Sequence, residues 1–243
     1  MLVRHHPKGW KIISHYTHAL LAGKIAHHLK HDVRHSHWTE TLSAIINHDD
    51  NMMDFEEKNY LTDAGTPRDF MMAGGKGKDA VKHAKSLYKE TLQKSQWINL
   101  LISRHIEFLY KDMPDEEMKQ FLKEMHSKRK EQRKLYGINL DIEDGLYNLL
   151  RFCDRMSLIL CGDEVPETER RLEINTSINE ETYYIKRNDN HSFTIEPWIF
   201  NEEQFVLDFE YKILDQADFK SNKELQQCIQ AARPMLQKIT FQK

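Results

Sequence analysis

The sequence predicts a mainly α-helical protein, with a helical core over residues 1–163 and a small β-rich extension with a closing helix over residues 164–243 packed on it. Two observations carry this. Apolar residues recur with helical spacing from Ser14 to Cys161, and after Gly162 the pattern changes to the period-two alternation of strands. A third supports a fully folded chain: nine Gly and six Pro in 243 residues, with 40% hydrophobic and 30% charged residues, leave little room for disordered stretches.

The elements follow in order. Leu2 to Ile13 has apolar ends around Pro7-Lys8-Gly9 and reads as a hairpin or two short strands. Ser14 can cap a helix in which His18, Ala22, Ile25 and Leu29 share one face, so His18 points inward. A second helix is expected from about Thr41 to Met53, with Asp49 in its apolar stripe and His48 at the edge. Asn59 to Gly77 carries Asp63-Ala64-Gly65-Thr66-Pro67 and Gly74-Gly75, and is expected to be an ordered loop.

Lys78 to Lys94 and Ser95 to Lys111 form two helices or one bent helix, with His83 beside the apolar face and His105 on it. Pro114 and the acids after it start a helix that should end at Gly137, and its basic run His126 to Lys134 reads as a solvated face. Asp141 to Cys161 is the most apolar helix, interrupted by Asp154 and Arg155. Strands are expected at Arg171 to Ile178, Glu181 to Lys186, His191 to Trp198 and Phe205 to Leu214. A helix from Ser221 to Gln237, weakened by Pro234, then leads to a last strand, Lys238 to Gln242, that could pair with the N-terminal one.

The formal charge of −3 supplies no basic field for a phosphate backbone, so no nucleic-acid partner is expected. No apolar run approaches the ~20 residues that span a bilayer, and the N-terminus lacks the apolar segment of a secretory signal. Three cysteines without a C-x-x-C pair suit a reducing compartment. A cytoplasmic protein is expected, with a homo-oligomer allowed.

Fourteen histidines are unusual for this length. The informative ones stand on separate apolar faces: His18, then His48-Asp49, then Asp154. A buried Asp is costly unless paired or metal-bound, and imidazole with carboxylate suits Zn, Mn, Fe and, less well, Mg. A hydrogen-bonded core histidine explains His18 alone, and an ion pair with Arg155 explains Asp154 alone; the set together points to a metal. His27, His28, His31, His35 and His37 read as a solvated helix end, and Gly74-Gly75-Lys76-Gly77-Lys78 as a turn rather than a phosphate loop.

The runs Ser14 to Ala26, Asn47-His48-Asp49-Asp50-Asn51, Gly65 to Phe70, Ser103-Arg104-His105 and Phe152 to Leu158, with Glu196-Pro197-Trp198-Ile199-Phe200, resemble a family of uncharacterised bacterial proteins related to the HD-domain superfamily, over nearly the whole chain. The resemblance implies an HD-domain-like helical bundle and carries metal-ligand roles onto His18, His48, Asp49 and Asp154. It also offers His83 and His105 as ligands of a second ion, in the order H, HD, H, H, D of binuclear members. His15 stands where that family leads one to expect glutamine, and Asn51-Met52 where one expects Gly-Trp.

The leading functional expectation is a metal-dependent phosphohydrolase acting on a small phosphate ester or nucleotide with one or two divalent ions (Mn, Fe, Zn, Ni or Mg) and metal-activated water. Asp49 would bridge two ions, Asp50 or His15 would serve as general base, and Lys76, Lys78, Arg104 or Arg155 would neutralise the phosphate. The alternatives are a non-catalytic binding or sensing module on the same scaffold and a di-iron oxygenase needing all six ligands.

Overall fold

The computed structural model describes residues 1–50, 59–70, 78–167, 170–176 and 178–243. Two strands, β1 (Leu2–His6) and β2 (Gly9–Ile13), form the N-terminal hairpin and run directly into α1 (His15–His28), whose N-cap Ser14 accepts a hydrogen bond from the Thr17 N–H at 3.0 Å. The helices α2 (Trp38–Ile46), α3 (Lys78–Lys94), α4 (Gln96–Tyr110), α5 (Glu116–Tyr136) and α6 (Leu140–Gly162) follow. Then come β3 (Leu172–Thr176), β4 (Thr182–Arg187), β5 (Phe193–Glu196), β6 (Gln204–Leu214), α7 (Asn222–Ala231) and β7 (Met235–Gln242).

The seven strands among the described residues join one sheet in the order β1-β2-β6-β7-β5-β4-β3, with β5 and β7 parallel and the other neighbours antiparallel. This overturns the expectation of a mainly α-helical, HD-like bundle with a small β-rich extension. The chain is a helical half and a large mixed sheet that draws strands from both ends of the sequence. Nor does the last strand pair with the N-terminal one, because the eleven-residue β6 stands between them, with Lys11 opposite Ile213 on one edge and Leu207 opposite Ile239 on the other. Part of the difference is local. The segment Met235 to Gln237 falls inside the expected closing helix, whereas α7 ends at Ala231, before Pro234, and the chain is extended from Met235 onward.

The helices lie closer to their expected places. Gly137, at φ +63°, stops α5 where the sequence puts the end, its N–H reaching the Arg133 and Lys134 carbonyls. Residues 78–111 are two helices, separated by Ser95, whose side chain accepts from the Trp97 N–H. The second helix is shorter than expected: α2 ends at Ile46 and residues 47–50 form turns, so His48 and Asp49 leave the helix end rather than lying within it. The portion of that expected helix beyond Asp50 lies outside the described residues, as do Ser177 near the end of the first expected strand, the glycine turn at 74–77 and Lys76.

α6 is the centre of the helical half. Leu150, Phe152, Cys153, Met156, Ile159 and Cys161 are fully buried, and each large apolar side chain contributes roughly 1.5–3 kcal/mol on burial. It packs on α1, α2 and α4 on one side and reaches the sheet through β3 on the other. α1 can lie close to α2 because residue 23 is glycine: a Cβ there would run into the Ile46 side chain. That approach brings the end of α2 over the face of α1 that carries His18. No helix among the described residues is long and apolar enough to cross a membrane.

Candidate metal centre

The end of α2, the first turn of α1, the middle of α4 and the middle of α6 meet at one point. Three overlapping groups of ligand atoms form there: His15, His18 and Asp49; His18, His48 and Asp154; and His48, Asp49 and His105. The histidines are all at most 3% exposed, while the Asp49 and Asp154 side chains keep 12% and 17%, so the carboxylates mark the side open to water.

The hydrogen bonds behind the histidines fix which nitrogen faces inward. His48 Nδ1 lies 2.7 Å from the Ile45 carbonyl, which can only accept, so Nδ1 holds the proton and Nε2 presents a lone pair. That Nε2 is 3.2 Å from Asp154 Oδ1 and 3.8 Å from Asp49 Oδ2. His18 is fixed through an intermediary. Ser157 donates its hydroxyl proton to the Asp154 carbonyl at 2.8 Å, leaving its oxygen to accept from His18 Nδ1 at 3.1 Å, so His18 Nε2 also faces inward bare, 2.9 Å from Asp49 Oδ2. Two lone pairs thus face two carboxylates at hydrogen-bonding distance. Such contacts are attractive only with a proton or a cation between them.

The same pattern continues outward. His15 Nδ1 is buried, lacks a hydrogen-bond partner among the described residues and sits 3.7 Å from Asp49 Oδ2, its ring edge-on to Phe70 with centroids 4.3 Å apart. His105 Nε2 lies 3.9 Å from Asp49 Oδ1, with Nδ1 toward the Tyr147 hydroxyl at 3.4 Å. Asp49 therefore turns one oxygen to His15 and His18 and the other to His105. An orphaned buried nitrogen, two bare lone pairs held by outer hydrogen bonds and two clustered carboxylates fit a divalent transition metal.

In the metal-free protein, burial and neighbouring charge decide which of these groups holds a proton. Burial pulls the His48 pKa down, but the Asp154 and Asp49 charges outweigh it and push it up to about 10. Burial likewise works to raise Asp49, yet the neighbouring histidines, His48 first, hold it well below the usual carboxylate range. Asp154 is lowered for the same reason against the same penalty. At His15 burial prevails over Asp49 and the pKa falls to about 4.

For chelator-treated protein these shifts set a pH dependence. His48, raised in the folded state, contributes stability that is complete below its unfolded value of 6.5 and is lost as pH rises through about 10. His15, lowered, makes the unfolded chain take up a proton first, so stability falls as pH drops from 6.5 toward 4. Thermal midpoints should therefore peak near pH 6.5 without metal, and metal should flatten the alkaline branch by replacing the His48 proton. A metal-free midpoint that stays level from pH 6.5 to 9 contradicts this assignment.

The other candidates lie elsewhere. His83, on α3, joins none of the three ligand groups among the described residues. Asp50 points to the end of α3, 3.6 Å from Lys94 Nζ, and burial raises its pKa ahead of the opposing pull of Lys94. Arg104 is taken up by Glu107 at 3.2 Å, Glu143 at 3.4 Å and Asp144. Arg155 pairs with Glu164 at 3.5 Å, and the side chain of Lys78 lies outside the described residues. Cys153 and Cys161 are buried free thiols, pushed well up and up to about 12 respectively by burial.

Sequence reasoning missed Ser157 and Tyr147. Both were findable, since they lie three residues after and seven before Asp154 and so share its face of α6. Ser157→Ala should leave the fold intact while weakening metal binding ~10–100-fold, because it removes the acceptor that orients His18. Competition against a chelator of known affinity measures this, and an unchanged affinity would refute the tautomer assigned to His18.

None of the curated proteins and none of the solved structures compared with the chain matches it. A family model matches residues 1–216, from the N-terminal hairpin through the end of β6, and so spans every residue of this centre. The chain belongs to the family described as protein of unknown function (DUF3891).

Proposed function

We propose that this protein is a metal-dependent phosphohydrolase whose H, HD, D ligand order relates it to the HD-domain superfamily. The observation that carries the reading is the inward-facing, pre-anchored pair His18 and His48 beside Asp49 and Asp154. His18, His48, Asp49 and Asp154 would hold the first ion. His105 and His15 stand on opposite oxygens of Asp49 and would help to hold a second. A divalent ion held there supplies a Lewis acid for a phosphoryl oxygen and a bound water acidified from ~16 toward ~7.

The chain's own groups do the rest. Ser157 and the Ile45 carbonyl orient the imidazoles, so substrate meets a preset donor arrangement. Burial, opposed by the Arg151 charge, raises Tyr147 far above its usual range, so its hydroxyl keeps its proton. His105, toward Asp49 through Nε2 and toward the Tyr147 hydroxyl through Nδ1, would hold a second ion with that hydroxyl behind it, while Asp50 is engaged with Lys94.

The test is a panel of phosphomonoesters, phosphodiesters and nucleotides offered to protein loaded in turn with Mn, Mg, Fe and Ni. Metal-dependent release of phosphate or of an alcohol is the expected result. Silence across the panel, with metal bound, would favour a binding or sensing role, and iron-dependent O₂ consumption would favour the oxygenase chemistry.

A further inference from the structure

If phosphate esters bind at this centre, something must balance their charge outside the metal, and the described cations are mostly committed. Arg104, Arg129 and Arg133 converge on Glu143, which is fully buried, and Arg129 also meets Glu107 at 2.6 Å. Arg155 is bound to Glu164 on the surface and Lys94 to Glu90 and Asp50. Arg151 differs. Among the described residues it has no carboxylate partner, and its guanidinium lies 4.6 Å from the centre of the Phe108 ring.

Its position is set by α6. Arg151 follows Tyr147 by four residues and precedes Asp154 by three, so all three share the helix face that looks onto the ligands. Phe108, three residues after His105 on α4, has its ring centre 6.4 Å from the His105 ring and 6.3 Å from Tyr147. Phe108 is 43% exposed, so the guanidinium lies against an exposed aromatic ring that neighbours both His105 and Tyr147, and among the described residues no carboxylate takes up its donors.

We infer that Arg151, held on Phe108, is the residue that grips the substrate's phosphate at the mouth of the metal centre. The inference rests on the phosphohydrolase reading for the word substrate, but binding of a phosphate anion at Arg151 stands apart from turnover. A planar guanidinium can offer two parallel N–H donors to two phosphate oxygens, which a lysine ammonium cannot. Stacking on Phe108 fixes the fork before the ligand arrives, so less rotamer freedom is lost on binding. Phe108 is thus a positioning residue for Arg151.

The experiment titrates inorganic phosphate into metal-loaded protein by calorimetry, comparing wild type with Arg151→Met, Arg151→Lys and, as a control on the neighbouring surface arginine, Arg155→Met. Metal content is measured for each preparation. The expected result is saturable binding by wild type and Arg155→Met, at least tenfold weaker binding by Arg151→Met, and an intermediate value for Arg151→Lys, all at equal metal content. Equal affinity in wild type and Arg151→Met overturns the inference, as does no binding by wild type or an equal loss in Arg155→Met.

Steady-state kinetics separate this from the hydrolase reading. If the enzyme turns over and Arg151→Met keeps the wild-type kcat/KM, the hydrolase stands and the grip falls. If phosphate binding depends on Arg151 but no ester is cleaved, the grip stands and the hydrolase falls.

Discussion

Replacing Asp49 with alanine should strip the protein of metal, taking its content from one or two ions per chain to near zero and any phosphate-ester hydrolysis down at least ~10³-fold, the loss of several kcal/mol of charge stabilisation. The size of the effect comes from Asp49's place in the cluster. It is within 3.9 Å of all four of His15, His18, His48 and His105, and no other carboxylate among the described residues reaches them all. Elemental analysis of protein purified without added metal or chelator decides the matter. An Asp49→Ala protein with wild-type metal content would refute the centre itself, whatever its activity.

The second large effect is on stability and lies away from the metal. Glu143 is a fully buried carboxylate between three arginines, one of which, Arg129, is itself 1% exposed. Glu143→Gln leaves those cations without their shared anion, and breaking a buried network by removing one member costs about 3–5 kcal/mol. At roughly 2–4 °C per kcal/mol for a chain of this size, the thermal midpoint should fall by about 10 °C. A midpoint within about 2 °C of wild type for Glu143→Gln, less than 1 kcal/mol by the same conversion, would show that water already screens the network.

That network also shows where sequence reading runs out. The basic run from His126 to Lys134 reads as a solvated face, yet Arg129 and Gln132 are buried, and Arg129 and Arg133 both pair with Glu143 across a helix-helix contact. Charge type is legible in a sequence, whereas the partner that makes a buried charge tolerable is set by packing. The members of the His/Asp cluster are legible because helical spacing puts His18 and Asp154 on apolar faces, where a polar group needs a reason. His48 and Asp49 are found for partly the wrong reason, since they sit in turns after α2 and not in its stripe.

The sheet is the larger misreading. Each strand lies near its expected place, β7 only starting earlier, at Met235, but short segments with alternating residues carry no mark of their neighbours. That β2 and β7 flank β6, and so weld the two ends of the chain into one sheet, is a property of long-range register. His15, expected as a base, joins a group with His18 and Asp49 that could hold a metal ion, because it precedes His18 by three residues on α1 and so shares its face.

The pairing of β2 with β6 bears on how the molecule is made. His18 follows β2 by only five residues, and the outer edge of β2 finds its partner in residues 204–214, which in turn lie against residues 235–242. His18 and the hairpin before it are made well ahead of β6 and β7, so the strand that leads into α1 has only its hairpin mate until those strands have emerged. Such distant pairing is slow to form. The histidine-rich segment around α1 is therefore made ahead of the strands that enclose it, and the candidate centre can close only once β6 and β7 are in place.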